Sequence, residues 1–273
     1  MTDSLKGKRI VIAGSQKTAE MSEIIMRQGG TPIVRPMQGI AYASEDELRA
    51  DVERMIEDRT DWYMFTTGIG LETLRKRAEQ DGHEKAFLEV LAAAKVVSRG
   101  YRTFGFLRNM GIQPVVTADD GSLRNIVEKL SAFDLGGQRV WLQLHGLPDS
   151  ELLDYAKDAG ADVRVTLPYR YQRPDPDTLI TLVRELKDGA VDAVCFTTRA
   201  QIQYLFDYAK ELGIDEELRN IFAERVLPVA VGKVTAEGLL EEGLGQERII
   251  VPNTQRMGGM VIEIANYYEA MQE

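Results

Sequence analysis

Cysteine occurs once in this chain, at Cys195, and histidine only at His83 and His145. A single cysteine excludes an internal disulfide and suits a reducing compartment. Residues so few and so scattered cannot build a zinc or iron–sulfur site, so no metal is expected. No apolar run approaches the roughly 20 residues that a membrane helix needs. The opening "MTDSLKGKRIVIAG" has no apolar signal region, so the expectation is a cytoplasmic protein with no membrane partner. Basic residues are in deficit, 33 against 43 acidic, for a net charge of −10. That balance argues against nucleic acid as a partner, although a small anion in a local basic cleft is compatible with it. "AGSQKT" lacks the lysine-centred pattern of a P-loop and no Gly-x-Gly-x-x-Gly occurs, so nucleotide binding has no motif behind it.

What the chain does contain is a phrase written twice. "TDWYMFTTGIGLETLR" begins at Thr60 and "VDAVCFTTRAQIQYLF" at Val191, each holding Asp-x-x-x-Phe-Thr-Thr. The register extends well beyond the phrase. An offset of 130 relates Arg9 to Arg139 and Gly30 to Gly160, and 131 relates Asp61 and Phe65 to Asp192 and Phe196. The offset is 132 for Gly100, Thr103 and Gly111 against Gly232, Thr235 and Gly243. It reaches 134 for Leu123, Ile126, Val127 and Leu130 against Met257, Met260, Val261 and Ile264. Order kept with so little drift is the mark of internal duplication.

With 273 residues and 44% hydrophobic content, the chain suits two globular domains of ordinary size. Short apolar runs such as "KRIVIAG", "QRVWLQLHG", "AKVVSRG" and "RVLPVAVG" read as buried parallel strands, and "GLGQERIIVP" holds another. Between them lie helical patterns: Ile202, Leu205, Phe206, Ala209 and Leu212 share one face. The last helix is expected to bury Met257, Met260, Val261, Ile264 and Tyr268. Alternating strands and helices predict an α/β protein, two flavodoxin-like doubly wound parallel-sheet domains. The prolyl stretches "VRPMQGI" and "LPYRYQRPDP" follow the second strand of each half, where proline favours extended backbone. They suggest that the chain passes between domains twice.

Ligands of open parallel sheets collect beyond the carboxyl ends of the strands. That rule selects Gly14-Ser15-Gln16, Thr66-Thr67-Gly68, Arg99-Gly100-Tyr101, His145-Gly146, Thr197-Thr198-Arg199 and Gly232-Lys233. Hydroxyls and backbone N–H groups at helix starts can hold an anion; equally, each threonine can be a plain N-cap. Gly100/Thr103 and Gly232/Thr235 repeat the pattern, and Lys233 and Arg199 are candidate carboxylate partners. Cys195 lies inside an apolar strand and reads as inert core. His83 reads as exposed surface, and His145 as either an acid–base or a structural histidine.

In "DWYMFTTGIGL", "DAVCFTTRAQIQYLF", "SRGYRT", "AVGKVTAEGLLEEGL", the long segment opening "RVWLQLHGLPDSELL" and "VPNTQRMGGMVIEIANYY", the chain resembles uroporphyrinogen-III synthases over essentially its whole length. The resemblance implies dehydrating cyclisation of hydroxymethylbilane, a linear tetrapyrrole with eight carboxylates, with inversion of ring D to give uroporphyrinogen III. The path runs through an azafulvene cation and a spiro intermediate. It implies a cyclising hydro-lyase of heme biosynthesis, without cofactor, working as a monomer. It also implies two domains, 1–38 plus 174–273 and 39–173, joined by a two-stranded connection with the active-site cleft between them.

The family tyrosine associated with loss of the hydroxyl falls on Tyr169 in "LPYRY", with Tyr171 as its rival and interdomain packing as the alternative role for either ring. Substrate contacts carry over to Thr66, Thr67, Gly68, Gly100, Thr103, His145, Gly146, Thr197, Thr198, Lys233 and Thr235. One departure is that Ser15-Gln16 stands where many relatives carry Thr-Arg. It motivates a second reading, a sensor of the same fold that binds a tetrapyrrole or another anion without converting it. A hinged solute-binding protein is a third reading, disfavoured by the missing signal.

Overall fold

The computed structural model of the chain describes residues 4–144, 150–254 and 256–271. The chain opens with β1 (Arg9–Ile12), α1 (Thr18–Arg27), β2 (Thr31–Val34) and β3 (Gly39–Tyr42). There follow α2 (Glu45–Glu57), β4 (Trp62–Phe65), α3 (Gly68–Gln80), α4 (Glu84–Ala93) and β5 (Lys95–Ser98). Next come α5 (Tyr101–Asn109), β6 (Val116–Thr117), α6 (Leu123–Leu130), β7 (Arg139–Gln143), α7 (Glu151–Asp158), β8 (Asp162–Thr166) and β9 (Tyr169–Gln172). The last stretch holds α8 (Pro176–Lys187), β10 (Ala193–Phe196), α9 (Arg199–Glu211), α10 (Asp215–Glu224), β11 (Leu227–Ala230), α11 (Lys233–Glu241) and α12 (Met257–Ala270). No helix among the described residues is long and apolar enough to cross a membrane.

Two compact units result. Met1–Gly39 with Gln172–Glu273 form one, and Ile40–Tyr171 the other. The chain changes unit inside β3 and again inside β9, and these two strands pair as a separate two-stranded sheet. Ala43 N–H donates to the Pro168 carbonyl while Gly39 lies against Gln172, so the pair runs antiparallel.

The first unit carries a parallel sheet in the order β2-β1-β10-β11, and Ile250 adds a single bridge to Val229 beyond β11. The strand expected in "GLGQERIIVP" is reduced to that bridge, because residues Gln246–Arg248 turn as a 3₁₀ helix instead. The second unit has the order β8-β7-β4-β5-β6, again parallel. Both sheets show one doubly wound, flavodoxin-like order, and each has its switch point between corresponding strands: β1 and β10 in one, β7 and β4 in the other.

Strand alternation sends side chains to a core on each face. Val11, Val194 and Phe196 enter one core of the first unit, and Ile10, Ile12 and Cys195 the other. In the second unit Tyr63 and Phe65 enter one core, Trp62 and Met64 its counterpart. Strands buried on both faces explain the near-continuous apolar runs in the sequence. Met260, Val261, Ile264 and Tyr268 of α12 are buried as expected, with Met257 packed at the edge. Leu212 is a correction: α9 stops at Glu211, so Leu212 caps the helix end and is 52% exposed.

The repeated aspartate has a structural role. Asp192 Oδ2 accepts from the backbone N–H of Arg9 at 2.8 Å and from Arg9 Nε at 3.1 Å. Asp61 Oδ2 accepts from the backbone N–H of Arg139 at 2.8 Å in the same way. Each aspartate thus ties the start of its strand to the neighbouring strand, at the sheet end opposite the threonines. Asp192→Ala is expected to lower unfolding free energy by about 1–3 kcal/mol, the usual scale for a lost bond to a charged group. Urea denaturation followed by circular dichroism measures it, and an unchanged midpoint would count against this role.

Candidate functional site

In the second unit, β4 ends at Phe65 and α3 starts at Gly68, so Thr66 and Thr67 form the turn at the switch point. Both hydroxyls have partners within the protein. Thr66 Oγ1 donates to the Gln143 carbonyl at 2.8 Å. Thr67 Oγ1 accepts from Gly70 N–H at 3.2 Å, an N-cap bond. Gln143, fully buried at the end of β7, accepts from Thr67 N–H through Oε1 at 3.1 Å. Its Nε2 donates to Thr67 Oγ1 at 3.2 Å and to the Leu144 carbonyl at 2.7 Å. The N-cap role foreseen as the plainer alternative for these threonines therefore holds for Thr67. Gly68 serves helix packing: a Cβ there would lie 3.1 Å from the Phe106 ring and 3.2 Å from Arg102 Cβ on α5.

Tyr169, the first residue of β9, is completely buried and belongs to this cluster. Its ring packs edge-on to Tyr171, with centroids 5.6 Å apart, and tilted against Tyr42 at 6.4 Å. The hydroxyl lies within reach of the Thr67 side chain, the Tyr171 side chain and the charge of Arg99. Burial raises the phenol above its ordinary pKa, helped by Tyr171, and outweighs the opposing pull of Thr67 and Arg99. The phenol is therefore in its proton-bearing form at neutral pH, ready to act as a donor.

Beside it, β5 ends at Ser98 and α5 begins at Tyr101 with Gly100 as N-cap. Glycine supplies no capping side chain, and a Cβ at Gly100 would meet nothing within 4 Å, so the helix N-terminus faces open space. Thr103 lies in the first turn, 2% exposed. Arg99, named in the sequence only for its place at a strand end, is half-buried with Tyr171 and Tyr169 as its electrostatic neighbours.

The first unit repeats the arrangement with its parts exchanged. Thr197 N–H donates to Gln201 Oε1 at 2.8 Å, and Gln201 Nε2 donates to Thr197 Oγ1 at 2.9 Å. Thr198 stands at the N-cap of α9 without capping it, since its hydroxyl donates to Gln38 Oε1. Helix α11 starts from Gly232 with no side-chain cap, followed by exposed Lys233 and buried Thr235. Arg199 is held by Glu241, so of the two cations singled out in this unit Lys233 alone lacks a carboxylate among the described residues. His145 and Gly146 lie outside the described residues. Cys195 is fully buried and its thiol is pushed up by burial, which suits inert core; His83 is exposed.

The structure thus gathers Thr66, Thr67, Gly68, Gly100, Thr103 and Tyr169 in one unit, and Thr197, Thr198, Lys233 and Thr235 in the other. A family model described as uroporphyrinogen-III synthase HemD matches residues 19–262. The chain belongs to the uroporphyrinogen-III synthase family. Among relatives of the family fold, a mutant uroporphyrinogen III synthase from Thermus thermophilus superposes with a TM-score of 0.78 at 28% identity, covering 97% of this chain and 99% of that one. The synthetase of Helicobacter pylori 26695, at 13% identity and a TM-score of 0.54 over 97% and 100% of the chains, shares the fold. In sequence, the chain is 44% identical to the uncharacterized protein YjjA of Bacillus subtilis (strain 168), over 98% of this chain and 99% of that protein.

Sequence reasoning missed Gln143 and Gln201 as site residues, and selected Arg99 by its strand-end position without assigning it a role. For the glutamines a signal was present. Gln143 aligns with Ala13 across the duplication, and Gly70 with Gln201, so bulk is exchanged between a strand end and a helix.

Proposed function

We propose that the chain is a uroporphyrinogen-III synthase that converts hydroxymethylbilane to uroporphyrinogen III, as a cytoplasmic monomer needing no cofactor. The observation that carries this reading is Tyr169: a buried phenol that stays protonated, next to Thr67 and a cation, in a chain of this family. The phenol transfers its proton to the departing hydroxyl, which leaves as water, and the tyrosinate takes back the proton released when the closed macrocycle regains its aromatic pyrroles. The resulting azafulvene cation is attacked by ring D at its substituted carbon, giving the spiro intermediate that rearranges to the inverted ring. Little further acid–base chemistry is required. Holding a long, floppy substrate in the reactive geometry can itself supply about 7–11 kcal/mol in favourable cases.

Carboxylates on the substrate are recognised at the strand ends. The helix starts at Gly100, Thr198 and Gly232 have no side-chain cap, leaving oriented N–H groups for acidic substituents. Such dipoles let a protein of net charge −10 take a polyanion. Hydroxymethylbilane prepared fresh and incubated with the protein should yield, after oxidation and chromatography, the type III porphyrin. Type I alone, the product of uncatalysed closure, would overturn the proposal.

The Ser15-Gln16 departure favours a second reading, binding without conversion. Calorimetric binding of a tetrapyrrole in a protein that forms no type III isomer is the result that would select it.

A further inference from the structure

Most half-buried arginines of this chain have an acid to face. Arg9 pairs with Asp192 at 3.1 Å, Arg35 with Glu185 at 2.5 Å, and Arg219 with Asp215 at 2.6 Å. Arg99 does not: among the described residues no carboxylate lies within ion-pair distance, and the titratable groups nearest it are the two phenols. Burial lowers the guanidinium pKa, yet arginine starts so high that the group remains a cation. Its backbone is held firmly, because Arg99 N–H donates to the Phe65 carbonyl at 3.1 Å, joining the ends of β5 and β4. A cation partly removed from water without a counter-charge is costly to the folded protein. The cost is offset when an anion arrives. Directly after it comes the uncapped start of α5, with open space in front of Gly100. A cation, uncapped N–H donors and open space thus belong to consecutive residues at one strand end, with the two phenols beside the cation.

We propose that Arg99 binds one carboxylate of the tetrapyrrole, on the pyrrole that carries the hydroxymethyl group, and so sets that group against Tyr169. A guanidinium suits this task because its planar fork meets both carboxylate oxygens at once, fixing direction as well as distance. This assignment rests on the synthase reading and adds to it a named anchor for the reacting ring. Arg99 is a positioning residue; the reacting atoms belong to Tyr169 and the substrate.

The test uses uroporphyrin, a stable porphyrin with eight carboxylates, as a fluorescent binding probe, alongside kinetics on hydroxymethylbilane. Arg99→Gln is expected to raise the probe Kd and the substrate KM about 10- to 100-fold, with a smaller fall in kcat, as loss of a charge-assisted pair predicts. The salt dependence of Kd should also become shallower. Arg99→Lys should recover part of the affinity, and Tyr169→Phe should keep the wild-type Kd while losing turnover. Arg124→Gln, at an exposed position of α6, serves as the control for a lost surface charge. Arg99→Met retains the aliphatic length and replaces the glutamine variant if melting shows that variant to be unfolded. Wild-type turnover together with unchanged Kd, KM and kcat in the neutral variants would overturn the role of Arg99 and leave the synthase reading standing. A wild-type protein that neither binds uroporphyrin nor forms the type III isomer would overturn both.

Discussion

Tyr169→Phe is expected to lower turnover of hydroxymethylbilane by about 10²- to 10⁴-fold, the range that a positioned general acid contributes. The ring itself should stay where it is, since it is completely buried and packs against the Tyr171 and Tyr42 rings. Stability should change by no more than about 2 kcal/mol, because only the hydroxyl's interactions with Thr67 and Tyr171 are removed. The pH dependence supplies an independent check. An unfolded tyrosine ionises near pH ~10, whereas burial holds the Tyr169 phenol above that value. Its contribution to stability is thus complete below pH ~10 and is lost as pH rises beyond it, since the unfolded chain releases the proton first. The phenylalanine variant should show a flatter alkaline decline in melting temperature than the wild type. In the wild type, activity should show no ionisation step from this phenol below pH ~10. Wild-type turnover in Tyr169→Phe, with loss in Tyr171→Phe, would transfer the role to the neighbouring ring.

Gly70→Gln is expected to destabilise the second unit by about 2–4 kcal/mol, from overpacking and lost buried hydrogen bonds together. Even a lone Cβ at Gly70 would sit 2.3 Å from Gln143 Nε2 and 2.4 Å from its Cδ, closer than atoms can approach. Gln143 cannot simply turn away, because its amide holds Thr67 N–H, Thr67 Oγ1 and the Leu144 carbonyl. The first unit shows how the conflict resolves. There the helix carries Gln201, the residue just past β1 is Ala13, and the glutamine amide still reaches the threonine turn. Gly70→Gln combined with Gln143→Ala rebuilds that arrangement and should recover most of the loss, a coupling of about 2 kcal/mol or more between residues in contact. Both tryptophans, Trp62 and Trp141, lie in the second unit, so their fluorescence during urea unfolding reports on that unit alone. A double variant as unstable as the sum of the two single changes would show that the two glutamines are not interchangeable.

A second exchange supports the same interpretation. Gly68 on α3 makes room for Phe106 and Arg102 on α5; across the duplication, Arg199 on α9 fills the space left by Gly238 on α11. At Gly238 a Cβ would come within 2.9 Å of Arg199 Cγ. Both pairs keep the local volume while moving the bulk from one element to the other, as close packing demands of copies that diverge. The exchanges also leave the two strand-end clusters unequal. Thr67 caps its helix, whereas Thr198 turns to Gln38 and leaves its helix start open.

Local patterning was enough to reveal the duplicated strand–helix rhythm, the buried strands, the fully buried Cys195 and the strand ends where hydroxyls and glycines gather. These follow from periodicity and turn chemistry, which act over a few residues and repeat visibly when a segment is copied. The bounds of α9 already show the limit: Leu212 continues the apolar spacing but falls past the last helical residue. Which polar groups meet is settled only when distant segments pack. Thr67 and Gln143 are 76 positions apart, and Arg9 and Asp192 are 183 apart. No local pattern encodes such pairings, nor that Asp61 and Asp192 bind strand starts while the threonines five and six positions later turn toward the opposite sheet end. Arg99 became conspicuous for the same reason. Whether a cation lacks an acid depends on every element packed around it, and that is a property of the fold rather than of the neighbouring residues.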